Sequence, residues 1–331
     1  MTKTIPALVA AFALVATSTV ASAQVVLKAS HQFPGGKGDA RDEMVQILAR
    51  EVNAANVGLE IKVFPGASLV KAQEQWRAMQ RGQIDISSFP LDYASGSEPQ
   101  FGATLMPGLV KNHDHALRIN KSQFMKDIKD VINKAGVVVL ADAWLAGAFG
   151  GKDKCILEPD DAKGLKVRSA GATFSEMWAG AGASIVSIPS NEVYNALQTG
   201  VANGTDTSTG SFASFRLYEQ LKCVTAPGDN ALWFMYEPLL MSKASFDKLN
   251  DAQKKAVMAA AKKAEDYFAG ESKKLDEKMI DAFKKANVQV VTMTAEQADK
   301  WRKIAATTSF KTFSDKVPGG KKLIDEALAV K

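Results

Sequence analysis

The chain has 331 residues, with 41 Lys and Arg against 36 Asp and Glu for a net charge of +5, and 46% apolar residues. This balance is too mild for nucleic-acid binding, and the length suffices for two lobes, each with its own core. With three histidines and two cysteines, and without a Gly-x-Ser-x-Gly elbow or a phosphate-cradling glycine loop, hydrolase and transferase chemistry lacks its usual parts.

Residues 1–23 read as a secretory signal: Lys3, an uncharged run over 4–20 rich in Ala, Val and Leu, and the small-residue site Ala21-Ser22-Ala23. Cleavage is expected after Ala23. The run is shorter than the roughly 20 apolar residues of a membrane span and is broken by Pro6, Thr17 and Ser18. Export places the remaining chain where disulfides persist, so Cys155 and Cys223 are expected to pair; two separately buried thiols are the alternative.

Strand, loop and helix then alternate. A strand over 25–29 leads into the loop His31 to Pro34. A helix over 38–53 carries Met44, Ile47, Leu48 and Val52 on one side. A strand over 59–64, a helix over 72–81 and strands over 84–88 and 137–141 follow. Such alternation predicts parallel α/β layers, with ligands met by loops at the carboxyl ends of strands. The segments 31–34, 89–95 and 144–149 are read as such loops. Further on come a strand ending at Arg168, a helix over 173–181, a strand over 184–188 and a helix at Glu192, with Ser190 as its expected N-cap. Residues 222–225 read as a crossing back toward the first lobe. Residues 251–285, rich in Ala, Lys, Glu and Leu, predict one long helix, with Gly270 as a candidate kink and the paired lysines on a solvated face. A strand over 288–293 and a capping box at Thr294 to Gln297 open a last helix that carries Trp301 on its apolar side.

The most specific words are Gly164-Leu165-Lys166-Val167-Arg168 and, about twenty residues on, Pro189-Ser190-Asn191-Glu192-Val193-Tyr194, running to Gly200. A strand-end arginine offers a planar, permanently charged fork for a carboxylate, although a lone arginine is more often a cap or a surface ion pair. Together with Gly204, Phe215 to Glu219, Phe64-Pro65-Gly66 and Gly82 to Asp85, these words resemble the DctP-like solute-binding proteins of TRAP transporters. The resemblance covers nearly all of the chain after residue 23. It implies a two-lobe α/β periplasmic binding protein with interleaved lobes, central sheets flanked by helices, and a long helix spanning both. On that reading lobe 1 is 24–146 plus 222–250, lobe 2 is 147–221 plus 286–331, and 251–285 bridges them. The implied role is to capture an organic acid, with Arg168 as the carboxylate clamp, and to deliver it to ion-driven membrane subunits. No catalysis and no cofactor are implied, and a monomer is expected.

Where the family carries further polar residues, this chain has Asn203, Asp206 and Thr207. A second arginine about twenty residues before the first is replaced by Gly147-Ala148-Phe149. A single visible cation and aromatics at Phe33, Phe89, Tyr93, Trp144, Phe149 and Trp233 predict a monocarboxylate with an apolar or aromatic body. His31 and Ser190 are the remaining candidate contacts. Asp206 has no second acid beside it for a hard cation. Two other classes stay open: an exported sensor or adaptor that docks on a receptor, and a metal-dependent enzyme built on His113 and His115, for which a loop and helix cap is the plainer reading.

Overall fold

The computed structural model describes residues 24–36, 38–228 and 231–331; the secretory signal read at 1–23 lies outside them. The strands are β1 (Val25–Ser30), β2 (Leu59–Phe64), β3 (Ile86–Ser88), β4 (Val137–Ala141), β5 (Trp144–Gly151), β6 (Lys166–Ser169), β7 (Ser184–Ser187), β8 (Gly204–Ser208), β9 (Cys223–Ala226), β10 (Phe234–Tyr236), β11 (Leu239–Ser242) and β12 (Gln289–Thr292). They form two sheets, one per lobe. The five-stranded sheet has the order β2-β1-β3-β11-β4, and the seven-stranded sheet runs β12-β9-β5-β8-β6-β7 with β10 paired to β5. In the first, β1 runs parallel to β2 and β3. In the second, β6 runs parallel to β7 and β8. The carboxyl ends of these parallel strands meet at the seam between the lobes.

The alternation predicted that architecture, but β5 escaped it. Residues 144–149, read as a loop, are the first part of an eight-residue strand buried along its whole length. Its glycines obscure the strand pattern because they serve close approach: a Cβ on Gly147 would lie 2.0 Å from the Trp233 ring, and one on Gly151 only 1.8 Å from the Lys154 carbonyl oxygen. Both neighbours pack where a side chain would otherwise stand.

The bridging helix spans Asp251–Lys285 without interruption at Gly270, opened by a capping box between Asn250 and Gln253. Val257, Ala261, Ala264, Phe268, Leu275, Met279 and Phe283 recur at helical spacing and are buried, which gives one apolar stripe along its length. That stripe packs on the helix Ala40–Ala54 of the first lobe and on the helix Thr209–Ser214 of the second.

The lobe limits need two corrections. Residues 223–226 are β9, inside the seven-stranded sheet, because they pair with β5 and β12. The return to the first lobe is therefore made after Ala226. The C-terminus also does not stay in the second lobe. After the helix Ala295–Ala305 and one π-helical turn, Ala306–Phe310, the helix Gly320–Leu328 packs on the helix Gln123–Lys134. Leu323, Ile324 and Ala327 bury themselves in the same core as Phe124, Ile128 and Ile132.

Cys155 and Cys223 form a disulfide across 68 residues of sequence, tying the loop after β5 to the start of β9. Closing a loop of this length restricts the unfolded chain. Replacing both cysteines by serine is expected to lower the unfolding free energy by about 2–4 kcal/mol, read from the denaturation midpoint without reductant. Adding reductant to the parent should reproduce the loss.

Candidate functional site

Arg168 stands next to the last residue of β6 with its side chain wholly buried. Its Nε donates to the Ile188 carbonyl at 2.9 Å, Nη1 to the Asp206 carbonyl at 2.7 Å, and Nη2 to the Tyr93 hydroxyl at 3.2 Å. The guanidinium is thereby fixed at the carboxyl edge of β6, β7 and β8. Three of its five N–H bonds are used, which leaves two for an anion.

Asp206, from β8, lies with Oδ1 3.8 Å from Arg168 Nη1. Its oxygens accept from the Ala170 amide at 3.0 Å and from Trp178 Nε1 at 2.6 Å. Burial pushes this carboxyl up, while Arg168 and the hydrogen bonds from Trp178 and Ala170 pull it down. Asp206 therefore positions the arginine and the start of the following helix.

Tyr93 reaches over from the first lobe, from the 3-10 turn Leu91–Ala94. Three N–H donors converge on its single hydroxyl oxygen: Arg168 Nη2 at 3.2 Å, the Ser190 amide at 2.9 Å and Gln32 Nε2 at 3.4 Å. The phenol oxygen has two lone pairs for these three donors, and the Ser190 amide makes the shortest of the three contacts. The next residue back, Asp92, is also buried and leans on the second lobe. A Cβ on Gly171 would sit 2.7 Å from its Oδ2, so a larger residue there would make the Asp92 carboxyl move.

A second buried arginine, missed in the sequence, crosses the seam. Arg41 opens the helix Ala40–Ala54 and is wholly buried, with its guanidinium carbon 3.8 Å from the Phe33 ring centre. Nε and Nη2 hold Asp39, Nη1 holds Glu237 at 3.1 Å, and Nη1 and Nη2 also reach Ser208, Ser211 and Ser214 on the second lobe. All three nitrogens are committed, so Arg41 joins the lobes and offers no donor to a ligand.

Several buried polar atoms have no hydrogen-bond partner among the described residues: Ser30 Oγ, Gln32 Oε1, Ser88 Oγ, Asp92 Oδ2, Ser190 Oγ and Thr207 Oγ1. They come from both lobes and cluster at strand ends and the loops just beyond. Buried polar groups in native proteins are almost always paired; in these six the hydrogen-bonding capacity is left unused by the protein itself.

The remaining expectations are placed as follows. Thr207 is brought to the seam, as are Tyr93 and Ser190. Ser190 is not the N-cap: it lies inside the 3-10 turn Ser190–Glu192, its amide turned to Tyr93, and Glu192 precedes the helix Val193–Gln198. His31 is held by Asp42, Nε2 to Oδ1 at 3.1 Å. The aromatic wall is not assembled, because core packing claims most of its members. Phe89 packs on Trp76 and Tyr93, and Phe149 on Phe174, Trp178 and Trp301. Trp233 lies against Phe174. Trp144 is away from the seam, its Nε1 donating to Asn120 and its ring against Tyr236. His113 pairs with Asp276 at 2.8 Å, whereas His115 contacts the Val330 carbonyl and the Lys111 amide. The two rings serve separate structural partners, with Asn112 as the helix cap.

The chain matches the DctP profile, a bacterial extracellular solute-binding protein of family 7, over residues 37–316. A solute-binding protein of Albidiferax ferrireducens is 38% identical over 302 residues, which is 90% of this chain and 89% of that one. The C4-dicarboxylate-binding periplasmic protein DctP of Rhodobacter capsulatus is 26% identical over 308 residues, 90% of each chain. The crystal structure of a TRAP periplasmic solute binding protein from Rhodoferax ferrireducens with bound malonate is similar with a TM-score of 0.87 at 38% identity, covering 91% of this chain and 96% of that one.

Proposed function

Because this chain belongs to the family 7 extracellular solute-binding proteins, the DctP-like periplasmic subunits of TRAP transporters, we propose that it captures a small, polar organic carboxylate at the seam between its lobes, with Arg168 as the clamp. The protein is a periplasmic binding protein and not an enzyme, and its partners are the ion-driven membrane subunits. The observation that carries the ligand reading is the wholly buried Arg168 with two N–H bonds unspent, together with unpaired buried hydroxyls at strand ends of both lobes. The scarcity of aromatic faces at the seam favours a polar ligand body over an apolar one. The malonate in the Rhodoferax ferrireducens protein and the C4-dicarboxylate named for the Rhodobacter capsulatus protein point the same way.

A ligand that satisfies groups from both lobes favours the closed arrangement, and the membrane subunits then distinguish loaded from empty protein by shape. We place the signal cleavage after Ala23. We assign residues 24–142, 237–250 and 320–331 to the first lobe and 144–236 with 286–310 to the second, joined by the helix Asp251–Lys285.

A thermal-shift screen of the mature protein against aliphatic keto and hydroxy acids, dicarboxylates, sugar acids and aromatic acids tests the reading. A ligand at a hundred times its Kd adds about 2.7 kcal/mol of stability. A shift with one acid class that vanishes in Arg168→Ala is the expected result, and a folded protein that responds to no acid would sink it. Tyr93→Phe keeps the ring but removes the oxygen on which three donors converge, so the closed form loses two cross-lobe bonds, from Arg168 and from the Ser190 amide. Ligand affinity is expected to fall by about 1 kcal/mol by calorimetric titration.

A further inference from the structure

Asp92 has no part in the clamp described above, yet it occupies the same seam. It is 2% exposed, and its Oδ2 has no hydrogen-bond partner among the described residues. The charged groups that act on it are Arg168 and Asp206 from the second lobe and Glu237 from the segment between β10 and β11; Tyr93 is its neighbour in the turn. Glu237 is held by Arg41, whose donors are all committed. Among the described residues the seam therefore presents one cation with unspent N–H bonds, which matches one carboxylate. A second ligand carboxylate must be held by neutral donors, and an ionised Asp92 beside it would repel it. Burial pushes the Asp92 carboxyl up to about 7, with Arg168 opposing the rise and Glu237 and Asp206 adding to it. Near neutral pH such a group is protonated in part of the molecules, and in that form it donates a hydrogen bond to an anion, as no ionised aspartate can.

We propose that Asp92 is the second anchor of the site: in its protonated form it donates its O–H to the far carboxylate of a small dicarboxylate held at its near end by Arg168, so that capture in alkaline solution, where the empty site has Asp92 ionised, takes up one proton. The inference rests on the carboxylate reading and narrows it to diacids. The proton moves from solvent to Asp92 as the ligand enters and returns when it leaves. Ser88 and Thr207, with buried unpaired hydroxyls, supply further neutral donors.

The test is calorimetric titration of malonate and succinate, with propionate as the monocarboxylate control, between about pH 7 and 9, where both diacids remain dianionic. For the parent, diacid affinity is expected to fall about tenfold per pH unit at the alkaline end, with about one proton taken up per site when buffers of different ionisation enthalpy are compared. Asp92→Asn replaces the O–H donor by an amide N–H that does not titrate. It should fold, bind the diacids within about threefold of the same affinity across the range, and take up no proton. Asp92→Ala should lose diacid affinity more than about tenfold. Diacid binding without proton uptake, or the parental pH slope persisting in Asp92→Asn, would overturn the proposal. Binding of propionate but of neither diacid, lost in Arg168→Ala, would overturn it while leaving the carboxylate clamp standing. Binding of no acid overturns both.

Discussion

Arg168→Ala is expected to weaken binding of the cognate acid by about 2–5 kcal/mol, the scale for removing one partner of a buried charge pair. The reason is geometric as well as electrostatic. Ile188, Asp206 and Tyr93 hold the guanidinium in one orientation, so the entropy of placing the fork is already spent when the ligand arrives. Arg41 cannot substitute, since its donors are bound by Asp39, Glu237 and three serines. Arg168→Lys keeps the charge but not the fork, and the lysine cannot reach three acceptors and a ligand at once. It should recover only a minor part of the loss. Titration of parent and variants settles the point, and an alanine variant binding within about threefold of the parent would remove Arg168 from the clamp.

The second large effect falls on stability. Asp206→Ala should cost about 3–5 kcal/mol of unfolding free energy, because it leaves Arg168 as a buried cation without its carboxylate. It also strands Trp178 Nε1 and the Ala170 amide, both of which donate to Asp206. Trp178 sits in the aromatic core with Phe149, Phe174 and Trp301, so the damage spreads from the site into the packing of the second lobe. Asp206→Asn retains one acceptor and should cost less, about 1–2 kcal/mol. Urea unfolding monitored by tryptophan fluorescence reads both. A loss below about 1 kcal/mol for the alanine variant would mean that the pair is not holding the arginine.

Much of this architecture is legible in the sequence where the chain follows local rules. Strands with β-branched residues, the 251–285 helix with its evenly spaced apolar stripe and the Thr294 to Gln297 capping box can all be read there, and the last is present as written. Where long-range contacts override local signals, the reading fails. β5 hides behind glycines and alanines whose purpose is to admit Trp233 and the Lys154 carbonyl, contacts no window of sequence contains. The place of Arg168 near the end of a strand could be read because its motif is local. Arg41 and Asp92 could not, because each gains its meaning from residues on the other lobe: Ser208 and Ser211 for the first, Gly171 for the second. The positioning role of Asp206 is of the same kind, set by Trp178 and Ala170. Aromatic residues misled for the opposite reason. Their types suit a ligand wall or a core equally, and only packing decides.

The most direct measurement of the central claim is native mass spectrometry of the mature protein and of Arg168→Ala, each exposed to an equimolar mixture of small organic acids and then freed of unbound ligand. The parent should carry one acid per chain, identified by its mass, and the variant none. Equal occupancy in the two proteins, or a parent that retains no acid, would contradict a carboxylate-capturing seam built on Arg168.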